Sequence, residues 1–83
     1  MMNDEFVEAQ AKALAARVSV EEETSPARLR LAYRLLYGRT PTPAESQMGV
    51  EFLQKAKREE TPLSAWTGLM RVLMSSNEFF YVD

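Results

Sequence analysis

The apolar residues of this chain recur mainly at intervals of three and four, the spacing that places side chains on one face of an α-helix. The clearest example is the stripe formed by Leu29, Ala32, Tyr33 and Leu36. Stripes of this kind predict four helices, at about residues 4–18, 26–37, 43–58 and 62–76. We therefore expect an all-α fold, a small four-helix bundle-like domain that spans residues 1–83 and ends in a short aromatic turn.

The connection between the second and third predicted helices carries the most specific local signals. Gly38 follows Tyr37 at the place where helices commonly end in a left-handed residue, a conformation that glycine adopts easily. Thr42 and Glu45 have the spacing of a capping box, in which each side chain accepts a hydrogen bond from the backbone N–H of the other residue. These signals predict a sharp helix–helix corner at Gly38-Thr42.

The second helix is predicted to begin with Ser25 as its N-cap and Pro26 in its first position. The fourth helix has the strongest apolar stripe and should supply most of the core, with Trp66 as its largest member. A ligand site formed by Trp66 and the nearby methionines is the less favoured alternative, because methionine commonly fills gaps in small cores. The stripe of the fourth helix also includes Leu63. The third helix is predicted to face inward with Met48, Phe52, Leu53 and Ala56.

The first predicted helix is rich in alanine, and its stripe consists of Val7, Ala11, Leu14 and Val18. Small side chains bury little apolar area, at about 25 cal/mol per Å², so we expect this helix to dock loosely. Gly49 lies inside the third helix, where it costs about 1 kcal/mol relative to alanine. Its presence predicts a close approach there by an aromatic side chain of the second or fourth helix.

Four residues are candidates for an interaction with a partner: Arg39, Trp66, Phe80 and Tyr81. Arg39 has two interpretations, a cation that follows a helix end and pairs with Glu45, or an anion-binding arginine, and the first is favoured. The aromatic residues near the C-terminus would form an exposed apolar patch unless covered. They are therefore expected to fold back onto the helices or to dock on another molecule.

Composition argues against several functions. The net charge of −2 is not that of a general nucleic-acid binder. The chain has neither cysteine nor histidine, the commonest metal ligands and catalytic bases near neutral pH, so we predict no catalysis, no metal and no cofactor. An acid/base enzyme that uses Glu45 with Glu78 is the weaker alternative. No apolar run approaches the ~18 residues of a membrane span, and the first residues do not form a signal peptide.

Two segments resemble a known family: LRLAYRLLYGRTPTPAE (Leu29–Glu45) and MSSNEFFYVD (Met74–Asp83). They are similar to the C-terminal domain, of unknown function, of large exported planctomycete proteins that also carry cytochrome c-type segments. The resemblance implies a module without an assigned activity in a bacterial envelope protein. This chain has no C-x-x-C-H sequence, so no haem role is implied. Residues 1–20 do not carry the resemblance and are expected to form a linker helix.

The leading hypothesis is accordingly a non-catalytic interaction or structural module, the C-terminal piece of a larger protein. Its expected partner is the remainder of that parent or another protein, with no nucleic acid and no membrane insertion. The alternative is a free-standing helical protein, a monomer or weak homodimer, that self-associates through Trp66 and the C-terminal aromatics Phe79, Phe80 and Tyr81. The sequence alone assigns no cellular location, although the resemblance favours an exported, periplasmic parent.

Overall fold

A computed structural model describes residues 4–58 and 61–75. Within these residues the chain forms four helices and no strand: α1 (Asp4–Glu21), α2 (Ser25–Tyr37), α3 (Pro43–Lys57) and α4 (Pro62–Met74). The predicted all-α, bundle-like fold is confirmed. α1 runs to Glu21 and not to residue 18, and α4 ends at Met74 and not at residue 76. The predicted C-terminal aromatic turn lies outside the described residues.

Threonine residues cap the N-termini of α2, α3 and α4. Thr24 precedes α2, and its hydroxyl accepts a hydrogen bond from the Ala27 N–H at 3.3 Å. The prediction that Ser25 is this cap was wrong, because Pro26 occupies the second helical position and Ser25 is already helical. Thr61 caps α4 in the same manner. Each cap satisfies a backbone donor that has no partner inside its own helix.

The core lies where α1, α2 and α4 meet. Trp66 is 3 % exposed, as predicted. Two other predictions were wrong, since Leu63 is 52 % exposed and Met48 is 47 % exposed. Leu63 lies in the first turn of α4 and Met48 lies on the outer face of α3, so neither reaches the core. The buried cluster consists of Ala11, Ala15, Val18, Leu29, Ala32, Tyr33, Trp66, Leu69, Met70, Leu73 and Met74.

Helix α1 docks closely, so the expectation of loose docking was wrong. Its most extensive contact is with α4, and Ala11, Ala15 and Val18 are completely buried. Small side chains permit a short distance between helix axes, which compensates for the small area that each of them buries. Glu8 pairs with Arg71 at 3.0 Å. This pair joins the start of α1 to the end of α4, so the two helices run antiparallel.

Helix α2 holds the C-terminal ends of both neighbouring helices. Arg28 donates hydrogen bonds to the carbonyl oxygens of Glu22 at 2.9 Å and Ser19 at 3.1 Å, at the end of α1. The hydroxyl of Tyr37 donates to the carbonyl oxygen of Leu73 at 2.6 Å, in the last turn of α4. Carbonyls at helix ends lack intrahelical partners, and the Arg28 cation also complements the helix dipole.

The glycine inside α3 marks a close helix contact, as predicted. A Cβ atom added to Gly49 would lie 2.9 Å from Cδ2 of Leu29 on α2. The neighbour is therefore leucine, and the expected aromatic residue was wrong at this position. An aromatic residue does approach a different glycine, because a Cβ on Gly68 of α4 would lie 3.3 Å from Cζ of Phe52. α3 thus contacts α2 through a glycine and contacts α4 through an aromatic ring.

Candidate functional site

The predicted corner between α2 and α3 is built on a left-handed glycine. Gly38 has a φ of 73°, and its N–H donates to the carbonyl oxygen of Arg34 at 3.0 Å. No atom lies within 4 Å of the position that a Cβ would take. The backbone conformation, and not a lack of space, is therefore what favours glycine here. The predicted helix end at Tyr37 is confirmed.

Arg39 forms a bidentate ion pair with Glu45. This is the pairing that the favoured interpretation of Arg39 proposed. Its Nη1 and Nη2 atoms lie 2.8 Å and 2.9 Å from Oε1 and Oε2 of the carboxylate. Nη1 also donates to the carbonyl oxygen of Thr40 at 3.0 Å. The planar guanidinium matches a carboxylate in this arrangement, which fixes orientation as well as adding energy. The pair joins the end of α2 to the first turn of α3.

The Arg39 guanidinium also lies against two tyrosine rings of α2. Its Cζ is 5.6 Å from the ring centroid of Tyr33 and 5.4 Å from that of Tyr37. The two rings meet edge to face, with centroids 5.2 Å apart. A cation at such a distance from an aromatic face is attracted by the ring quadrupole. Sequence reasoning missed this contact, although the i, i+4 spacing of the tyrosines already placed them on one helix face.

The capping box completes the site, which we call the corner cluster (Tyr33, Tyr37, Arg39, Thr42 and Glu45). The Thr42 hydroxyl accepts from the Glu45 N–H at 3.2 Å, and Glu45 Oε1 accepts from the Thr42 N–H at 2.9 Å. The predicted capping box is thereby confirmed. Glu45 consequently receives hydrogen bonds from both Arg39 and Thr42.

These contacts determine the protonation state of Glu45. The hydrogen bond from Arg39 is the main cause that lowers the pKa of Glu45 from 4.5 to about 2, helped by the Thr42 N–H and opposed by partial burial. The carboxylate therefore stays ionised well below neutral pH. A general acid that works near neutral pH needs a raised pKa, so the Glu45 carboxyl is not suited to donate a proton there and acts instead as the partner of Arg39.

Trp66, the second candidate residue, does not belong to the corner cluster. Trp66 is buried in the core and presents no surface to a partner in the folded chain. The hypothesis of self-association through Trp66 and the C-terminal aromatic residues was therefore wrong for Trp66. Phe80 and Tyr81 lie outside the described residues, as do Phe79 and Glu78, so their predicted roles stay predictions. Arg39 is partly exposed beside Glu45.

A second surface was not predicted from the sequence. A groove of about 360 Å³ lies between α1 and α2 near the end of α4. We call it the α1–α2 groove; its lining residues are Phe6, Gln10, Ala13, Leu14, Arg17, Leu35, Leu36 and Met74. Phe6 is 50 % exposed and Leu35 is 39 % exposed. The sequence did contain one signal for this groove. Leu35 lies beside Leu36 and widens the apolar face of α2.

The described residues contain no group of three or more histidine, cysteine, aspartate or glutamate side chains placed to hold a metal ion. Their helices likewise include none with the length and apolar character required to cross a membrane.

The fold and the corner cluster define a small all-α domain with an ion-paired corner between its second and third helices. The chain belongs to the family described as PSD1, a protein of unknown function (DUF1553), whose model matches residues 1–53. The expectation of a domain of unknown function is thus confirmed. Residues 1–20 lie inside the match, so the expectation that they do not carry the family resemblance was wrong. No curated protein and no solved structure matches the chain.

Proposed function

We propose that this chain is a non-catalytic helical module of a larger protein, where it binds the remainder of that protein or a separate protein. The observation that carries the proposal is the pair between Arg39 and Glu45. These residues are the strongest candidates for chemistry near the corner, yet they bind each other at 2.8 Å and 2.9 Å. The geometry suits a device that fixes the angle between α2 and α3.

The proposal also extends to the kind of larger protein that contains this module. The segment Leu29–Glu45 resembles exported planctomycete proteins with cytochrome c-type segments, and it lies within the residues that match the family. The second resembling segment, Met74–Asp83, lies beyond that match. The resemblance of these two segments supports a parent protein in the bacterial envelope. The module would then contribute a rigid helical surface and no redox group of its own.

Binding to the separately produced remainder of the encoded protein tests the proposal. The gene is first read beyond both ends of the 83 residues, and the flanking polypeptide is then titrated with this chain in a calorimeter. We expect saturable binding. If the exposed side of α4 forms the contact, Leu63→Glu weakens binding, whereas Val20→Glu at the end of α1 serves as a matched control. Absence of saturable binding by the unaltered chain would overturn the proposal.

The competing enzyme hypothesis is tested with Glu45→Gln. A non-catalytic role predicts that this variant binds the flanking polypeptide as the unaltered chain does, after allowance for a small change in stability. An activity of the complete protein that disappears in Glu45→Gln, while folding and binding are retained, would contradict the proposed role.

A further inference from the structure

We propose that a groove between α2 and α3 binds an extended segment of a partner polypeptide, in which an apolar side chain stands beside acidic side chains. The groove has a volume of about 380 Å³, and we call it the α2–α3 groove. This inference rests on the proposed function and deepens it, because it assigns the binding surface of the module and the chemistry of its partner.

The floor of the α2–α3 groove is apolar and rests on a close helix contact. It is lined by Leu29 of α2 and Val50 of α3, together with Pro26 and Pro41. A Cβ on Gly49 would lie 2.9 Å from Cδ2 of Leu29, so Leu29 packs directly against the backbone of α3. The volume of the groove lies within the range of ligand pockets, about 300–1,000 Å³. It therefore accommodates an apolar side chain with its adjoining backbone.

Polar groups at the edge of the groove suit the backbone of an extended segment. Thr40 and Ser46 line the groove as well, and each hydroxyl can donate and accept hydrogen bonds. Within the described residues neither hydroxyl has a hydrogen-bond partner. Backbone N–H and C=O groups need partners when they are covered. The two hydroxyls can provide them to a segment that lies along the groove.

Charge beside the groove favours an acidic partner. Residues 25–44 include four arginines and no aspartate or glutamate, although the net charge of the chain is −2. Arg28 binds carbonyl oxygens at the end of α1, and Arg39 belongs to the corner cluster. The other two, Arg30 and Arg34, are exposed. In the part of the chain that the structure describes, neither of them forms a hydrogen bond or an ion pair through its side chain.

Arg30 and Arg34 form one basic surface at the side of the groove. They are four residues apart and so lie on the same side of α2. Arg30 lines the α2–α3 groove and also a smaller pocket of about 110 Å³, which it shares with Arg34 and Glu22. A planar guanidinium binds a carboxylate in a bidentate manner. Nucleic acids are instead bound through many phosphate contacts, so two arginines beside an apolar floor suit an acidic polypeptide better.

Selection from a library of random short peptides, with the complete 83-residue chain as bait, tests the inference. We expect enriched peptides in which an apolar residue adjoins aspartate or glutamate. Arg30→Glu should weaken the binding of these peptides, measured by fluorescence anisotropy, at least about tenfold, which is 1.4 kcal/mol. Lys12→Glu makes a matched charge reversal at an exposed position of α1, where distance and salt screening should keep affinity within about twofold.

Two results of this selection would overturn the inference. One is equal affinity in Arg30→Glu and Lys12→Glu. The other is the enrichment of acidic peptides that bind as tightly after their apolar residues are replaced by serine, because overall charge would then explain the binding. Circular dichroism verifies the fold of each variant. Arg30→Gln, which removes the charge without reversing it, should also weaken binding and replaces Arg30→Glu if that variant does not fold.

Chemical-shift mapping by NMR locates the bound peptide on the unaltered chain. Saturation should shift the amide signals of Leu29, Ser46 and Val50, whereas those of Ala13 and Leu14 in the α1–α2 groove should stay unchanged. Shifts confined to the α1–α2 groove would contradict the assignment of the α2–α3 groove.

The calorimetric titration with the flanking polypeptide separates this inference from the proposed function. If Arg30→Glu left saturable binding of that polypeptide unchanged, the α2–α3 groove would not be its site, and the proposed function would stand. Absence of saturable binding, with the selected peptides still bound at the groove, would instead overturn the proposed function alone.

Discussion

The α2–α3 corner and the α1–α4 contact hold helices together in opposite ways. The corner joins residues close in sequence through polar bonds, chiefly Arg39 to Glu45. The α1–α4 contact joins helices at the two ends of the described chain and buries the small residues Ala11 and Ala15. Local sequence signals predict the corner, whereas no such signal predicts the α1–α4 contact. The clarity of a sequence signal therefore says little about how much a contact stabilises the fold.

The physical reason lies in the kind of free energy that each region contributes. A partly exposed ion pair adds at most about 1 kcal/mol, although its geometry fixes a direction. Apolar packing between distant helices contributes in proportion to the buried area and depends on close fit. Three substitutions separate these contributions, and they follow in order of expected effect.

The largest effect is expected at the α1–α4 contact. Ala15→Leu inserts a branched side chain at a completely buried position, and overpacking of this kind destabilises by about 1–3 kcal/mol. Ala16→Leu on the exposed side of the same helix is the matched control, expected within about 0.5 kcal/mol of the unaltered chain. Urea unfolding followed by Trp66 fluorescence measures both. Equal stability of the two variants would contradict close docking of α1.

An intermediate effect is expected at the corner backbone. Gly38→Ala must place a Cβ in the left-handed region, which costs about 1–2 kcal/mol. Because no atom surrounds that Cβ position, the loss arises from the backbone alone. Gly38→Asn should lose less, since asparagine tolerates this conformation better. Thermal unfolding by circular dichroism compares the three chains. If alanine and asparagine were equivalent, the left-handed conformation would not be the cause.

The smallest effect is expected from the ion pair, and it should depend on pH. Because the pKa of Glu45 is lowered to about 2 from 4.5 in the folded protein, its contribution is complete above pH 4.5 and is lost as the pH falls towards 2. Glu45→Gln should therefore be less stable than the unaltered chain at pH 6, by less than about 1 kcal/mol.

The difference between the two chains should shrink across the window from pH 4.5 to 2. Denaturant unfolding at several pH values measures it. Glu51→Gln, which removes one exposed negative charge from the same helix, controls for net charge. A Glu45→Gln difference that stayed constant from pH 5 to pH 2 would contradict the role of the carboxylate charge.

Features governed by neighbouring residues could be predicted from the sequence. Gly38 ends α2 because its left-handed conformation follows from its place after Tyr37, and Thr42 caps α3 because Glu45 stands at the required spacing. The assignment of Ser25 failed by one residue, since a helix accepts proline at its second position as well as at its first. Such errors remain small because the competing conformations are themselves local.

Features governed by distant residues could not be predicted in the same way. Tyr37 donates a hydrogen bond to the carbonyl oxygen of Leu73, 36 residues further along the chain, and no residue near Tyr37 in the sequence indicates this partner. The α1–α2 groove depends on how two helices and the end of α4 converge. Leu63 and Met48 carry the apolar spacing, yet about half of each side chain stays exposed. Periodicity identifies a helix face, and tertiary contact decides whether that face is covered.

The antiparallel course of α1 and α4 has a consequence for how this unit is tethered. The salt bridge between Glu8 and Arg71 brings the first turns of α1 beside the last turn of α4, so the described part of the chain begins and ends near one pole of the molecule. A unit with adjacent attachment points can be inserted into a loop of a host protein without forcing the host's flanking strands or helices apart. The opposite pole, where α1 ends and α2 begins, would then project outward.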